Sequence, residues 1–116
     1  MPCVAEFGII DNFDKNKDYS SEYEPQKYNC IAIDDDIIDG WWNELVLIKT
    51  YFHNYNRPEY ALARWGVTLI PPESLDAFYN IITNDNRSRD SKELANLMAL
   101  IRKAIRENKY VIHYGV

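Results

Sequence analysis

Apolar positions recur along the chain at two spacings, every second residue and every third to fourth, and these two periods set the expected strands and helices. Residues 3–10 alternate, with Ala5, Phe7 and Ile9 on one face and Val4, Glu6, Gly8 and Ile10 on the other, which predicts an opening strand. Residues 11–27 are polar and carry no apolar period, so a long loop is expected, and loops of that length are often functional. Strand character resumes over 28–33. Asp34-Asp35-Asp36 then supplies an N-cap and first-turn acidic groups for a helix. Its apolar stripe of Ile37, Trp41, Leu45, Ile48 and Phe52 predicts a helix from about residue 37 to 53.

Asn54 and Pro58 break that pattern, and a strand is expected over 62–70, with Ala63, Trp65, Val67 and Leu69 on its apolar face. Pro72 suits the first position of a helix over 73–83, where Leu75, Phe78, Tyr79 and Ile82 repeat. After the polar connection 84–89, Asp90 and Glu93 stand at capping-box spacing ahead of Leu94, Leu97, Met98, Ile101 and Ile105. Residues 110–116 close the chain as a strand with Tyr110, Ile112, Tyr114 and Val116 on one face. The order β-β-α-β-α-α-β predicts a single α+β domain, a mixed or antiparallel sheet of about four strands covered by three helices.

Composition narrows the function classes. With 116 residues, 47% of them hydrophobic, the chain has the material for one buried core. Its net charge of -5 argues against binding a phosphate backbone and permits a basic partner. The charge is uneven: residues 1–60 hold twelve acidic and five basic groups, the remainder six and eight. Cys3 and Cys30 are too few for a disulfide scaffold and suggest buried thiols in a reducing, cytoplasmic interior. No basic start followed by an apolar run and no spanning stretch is visible, so neither export nor membrane insertion is expected.

Motifs for catalysis are missing: no P-loop, no G-x-S-x-G, no G-x-G-x-x-G and no H-E-x-x-H, so no cofactor is expected. Asp34, Asp35, Asp36 and Asp39 lack the spacing of a calcium loop, and capping with solvation is the better reading than a metal site. His53 is expected at a helix C-terminus. His113, mid-strand, is the one candidate for acid-base work if a carboxylate pairs with it in a pocket. The basic set Arg87, Arg89, Lys92, Arg102, Lys103, Arg106 and Lys109 reads as a solvated helix face rather than a nucleic-acid surface. The acidic half also gathers Tyr19, Tyr23, Tyr28, Trp41, Trp42, Tyr51, Tyr55 and Tyr60, and aromatic residues amid carboxylates suit steered recognition of a basic protein. Trp42, about 100° around the helix from Trp41, is the one expected to be partly exposed or to pack under the loop from Asp11 to Lys27.

Three runs carry a resemblance to a known group. They are Thr50-Tyr51-Phe52-His53-Asn54-Tyr55-Asn56-Arg57-Pro58-Glu59-Tyr60, then Leu62-Ala63-Arg64-Trp65-Gly66-Val67-Thr68-Leu69-Ile70-Pro71-Pro72-Glu73-Ser74-Leu75, and the closing Glu107-Asn108-Lys109-Tyr110-Val111-Ile112-His113-Tyr114-Gly115-Val116. From residue 50 onward the chain resembles small bacterial immunity proteins of polymorphic-toxin or contact-dependent inhibition systems. The resemblance implies a protein without a reaction of its own that binds and neutralises one cognate toxin, such as a nuclease. The expected partner-binding residues are Asp34, Asp35, Asp36, Asp39, Trp42, Glu44, Tyr51 and Tyr55. Two other readings stand beside it, a small enzyme using His113 with a carboxylate and a homodimer whose exposed aromatics pair with themselves.

Overall fold

Alternation in Val4–Ile10 (β1) places side chains on both sides of a sheet whose two faces are each covered. The computed structural model describes residues 4–21 and 23–115. The remaining strands are Ile31–Asp34 (β2), Lys49–Phe52 (β3), Pro58–Tyr60 (β4), Val67–Ile70 (β5) and Tyr110–Tyr114 (β6). They pair antiparallel in the order β2-β1-β6-β5-β3-β4, so β1 and β6, the first and last strands, lie side by side away from the sheet edges. The fold is therefore α+β, one compact domain, with six strands rather than about four. Cys3 and Val116, expected at the two ends of these central strands, lie outside the described residues.

Four helices, Asp35–Gly40 (α1), Trp42–Leu45 (α2), Pro72–Thr83 (α3) and Lys92–Glu107 (α4), pack on one face. There Phe7, Ile33, Ile70 and Val111 of the sheet meet Ile38, Trp41, Leu45, Phe78, Ile82, Leu97 and Ile101. Helix α3 begins at Pro72, whose lacking N–H costs nothing in the first turn. Helix α4 is capped by Ser91, whose Oγ accepts from Leu94 N–H, one position after the expected Asp90. Asn108, left-handed at φ 55°, ends it.

The opposite face is covered by the polar loop. Phe13, Tyr19, Tyr28 and Cys30 of this segment, which makes one turn of 3-10 helix at Tyr19–Ser21, pack with Tyr51, Val67, Leu69, Ile112 and Tyr114. Phe13 is the centre of this strap: its ring stacks on Tyr110 at 3.7 Å and 6°, on Tyr19 at 5.6 Å, and meets Tyr55 edge-on at 6.0 Å. Loop lysines lie over these rings, Lys15 on Tyr55, Lys17 on Tyr19 and Lys27 on Tyr28. Gly8 on β1 lets Tyr28 approach, since a Cβ there would stand 2.6 Å from the Tyr28 carbonyl oxygen. Cys30 carries a free thiol, whose pKa burial pushes up to about 12 and so disfavours the thiolate.

Two expected elements are corrected. The helix over 37–53 stops at Leu45, because Thr50, Tyr51 and Phe52, β-branched and aromatic, join the sheet opposite Glu59, Leu69 and Thr68. Trp41, Leu45 and Ile48 still bury one side by side, which is why the stripe read as helical. His53 thus follows a strand at φ 69°, with Nδ1 3.0 Å from Arg57 Nη1, and caps no helix. The strand over 62–70 is confined to Val67–Ile70, and Trp65, expected on its apolar face, is exposed.

Candidate functional site

The acidic run begins where β2 ends. Asp34 caps α1, its Oδ1 accepting from Asp36 N–H at 2.9 Å, and so fixes the direction in which the following residues leave the sheet. Ile38 and Trp41 bury the inner side of α1, which leaves Asp34, Asp36 and Asp39 exposed and Asp35 half-buried. Helix α2 adds exposed Glu44 and half-buried Trp42 beside buried Leu45.

A cation from a distant segment meets this surface. Arg64, in the loop before β5, forms ion pairs with Asp39 and, at 3.6 Å, with Asp35, and its guanidinium lies 5.3 Å from the centre of the Trp42 ring. Asp35, Asp39 and Trp42 are therefore occupied from within the chain, whereas Asp36 and Glu44 make no ion pair among the described residues. The position of α1 and α2 is fixed from below. Trp41 Nε1–H donates to Asp85 Oδ2 at 2.8 Å, and Asp85 is held in turn by Arg87 Nη2 at 2.6 Å. Arg87 beside it holds the Asp85 carboxyl well below the usual carboxylate range.

Of the eight expected partner-binding residues, Asp35, Asp39 and Trp42 are brought together by Arg64, Asp34 and Asp36 stand at the start of α1, and Glu44 borders a depression lined by Trp41, Asp85 and Arg87. Tyr51 and Tyr55 stand apart from these. They stack on each other at 4.7 Å under the strap, on the other face of the sheet. Sequence reasoning missed Arg64 as the internal partner, and it missed Trp65, Leu47 and Val46 as exposed apolar residues. Gly66 was the available signal, because an isolated glycine in a strand pattern marks a bend or a close approach.

His113 is buried on the helix-covered face against Phe7, ring centres 5.0 Å apart. Its Nδ1 stands 3.1 Å from Thr68 Oγ1, which also accepts Ala63 N–H at 2.7 Å. Burial alone pushes the imidazole down to about 3, so it is neutral at pH 7. The expected carboxylate neighbour is replaced by a threonine, and His113 lines none of the four main depressions of the described surface. One depression, of about 410 Å³, opens at the strap, where Asp11 and Asp14 offset Lys17 and Lys27 and select no sign of ligand.

Among the described residues, no group of three or more His, Cys, Asp or Glu is arranged to hold a metal, and no helix is long and apolar enough to cross a membrane. Compared with protein-family models, with curated proteins and with solved structures, the chain finds no match.

Proposed function

We propose that this chain is a non-enzymatic binding protein that neutralises a basic protein partner, a toxin of the kind opposed by the bacterial immunity proteins its sequence resembles. The observation that carries the reading is that Asp36 on α1 and Glu44 on α2 are exposed and make no ion pair among the described residues. Carboxylates fixed on short, well-anchored helices steer a basic partner into place and reject acidic ones. A nuclease fits this description by its chemistry, because a surface that holds a phosphate backbone is itself basic.

The reading requires a toxin gene immediately upstream of the gene for this chain. Co-expressing the chain with that toxin domain restores growth, and Asp36→Lys combined with Glu44→Lys removes the protection while circular dichroism shows the fold retained. Full protection by the double variant contradicts the reading.

A further inference from the structure

Residues 11–30, the strap, gather hydrogen-bond donors at one place. Tyr19 and Tyr28, both buried, bring their ring centres to 6.5 Å of each other. Each ring carries a lysine of the same segment, Lys17 over Tyr19 at 5.0 Å and Lys27 over Tyr28 at 5.6 Å. The two lysine side chains come within hydrogen-bonding reach of each other. All four residues line the depression of about 410 Å³, which Ile10, Asp11, Asn12 and Asp14 complete.

The formal charges around this depression cancel and select no sign at a distance, but its hydrogen-bonding groups are unequally engaged. Its carboxylates are in use: Asp11 is paired with Lys109 at 2.8 Å, and Asp14 Oδ1 accepts from Asn16 N–H at 2.8 Å. Glu24 stands 3.5 Å from Lys27 Nζ, outside the lining. The donors are less fully used. Lys17 is half-buried and makes no ion pair among the described residues. Tyr28, only 7% exposed, has no hydrogen bond on its hydroxyl among the described residues, and that oxygen is not sealed from solvent. Tyr19, 4% exposed, accepts from Asp14 N–H at 2.9 Å, which leaves its hydroxyl proton available to an acceptor. Two ammonium groups this close repel each other unless an acceptor of negative charge stands between them.

We propose that the strap depression binds the oxyanion group of a small molecule, a phosphate or a carboxylate, with Lys17 and Lys27 on either side of it and the hydroxyls of Tyr28 and Tyr19 donating to its oxygens. A space of about 410 Å³ suits a small ligand rather than a polymer. Ammonium groups meet such an anion as point charges and require no fork geometry from it. The site lies on the sheet face opposite α1 and α2, so it stands apart from the acidic surface and does not rest on the toxin-binding reading.

The test is amide NMR of the full chain at pH 7, titrated with sodium phosphate, with sodium acetate and with sodium chloride at matched ionic strength. Phosphate or acetate is expected to give saturating shifts concentrated in residues 11–30 that chloride does not reproduce, and whichever saturates at the lower concentration identifies the head group. Lys17→Gln is expected to weaken that binding at least about tenfold and Tyr28→Phe, which keeps the ring, about fivefold or more. Lys15→Gln, whose ammonium lies over Tyr55 and not at the depression, is the control and should bind as wild type. Shifts that never saturate, shifts equalled by chloride, or wild-type affinity in either Lys17→Gln or Tyr28→Phe overturn the proposal. The acidic surface is untouched by all of these outcomes, so failure here leaves the toxin-binding reading as it stands.

Discussion

The indole N–H of Trp41 and the carboxylate of Asp85, 44 residues apart, are joined at 2.8 Å, and this bond ties the acidic helices to the connection between α3 and α4. The carboxylate side chain is only 10% exposed and also accepts from Arg87, so it works as a shared acceptor between two segments.

Asp85→Ala leaves the Trp41 donor and the Arg87 cation without their acceptor, and is expected to lower unfolding free energy by about 1–3 kcal/mol in urea titrations at pH 7. The pH dependence has a definite sign. Arg87 lowers the folded-state pKa of Asp85 below its ordinary 3.8, so the contribution is complete above that value and fades as pH falls below it. The gap between wild type and Asp85→Ala therefore narrows from about pH 4 downward; a gap independent of pH would show that Asp85 acts by packing alone.

His113 makes a separate contribution in a different window. Its folded-state value is pushed to about 3 by burial, against an ordinary 6.5, so the unfolded chain binds the extra proton first. Stability is whole above about pH 6.5 and declines as pH drops toward 3, with a slope approaching ~1.4 kcal/mol per pH unit from this one group. His113→Gln, which keeps a polar atom near Thr68, is expected to flatten the profile between pH 6 and pH 4.5 by about that slope. An unchanged slope contradicts the assignment.

The strap depends on Phe13, stacked at 3.7 Å on Tyr110 and packed against Tyr19 and Tyr55. Phe13→Ala is expected to cost about 2 kcal/mol. It should also open residues 11–30 locally, which limited trypsin digestion at Lys15, Lys17 and Lys27 reports as faster cleavage while the α4 amides keep their hydrogen-exchange protection. Loss of protection throughout the chain would show that the strap and the helical core unfold together.

How much of this was legible in the sequence depends on the range of the interactions involved. Elements with a sustained period, β1, α3, α4 and β6, were readable because each buries a regular face. The strap was not, since Phe13, Tyr19 and Tyr28 are placed singly on a sheet surface and leave no repeat. β3 was concealed because Trp41, Leu45 and Ile48 keep helical spacing across a turn, and only the distant partners Glu59, Leu69 and Thr68 make Thr50 to Phe52 a strand. The acidic surface was visible through the capping chemistry of Asp34. The pairing of Arg64 with Asp35 and Asp39 and the exposure of Trp65 lie in a loop closed by Gly66 and Gly115, whose mutual approach no local pattern encodes.

The central claim, that the α1–α2 surface recognises a basic protein, is tested most directly by stopped-flow association with the upstream-encoded toxin domain across ionic strengths. The association rate is expected to fall steeply from ~0.02 M to ~0.3 M salt as the Debye length contracts, and to fall at least tenfold in Asp36→Lys/Glu44→Lys at low salt. A rate indifferent to salt and to the charge reversal would contradict the account.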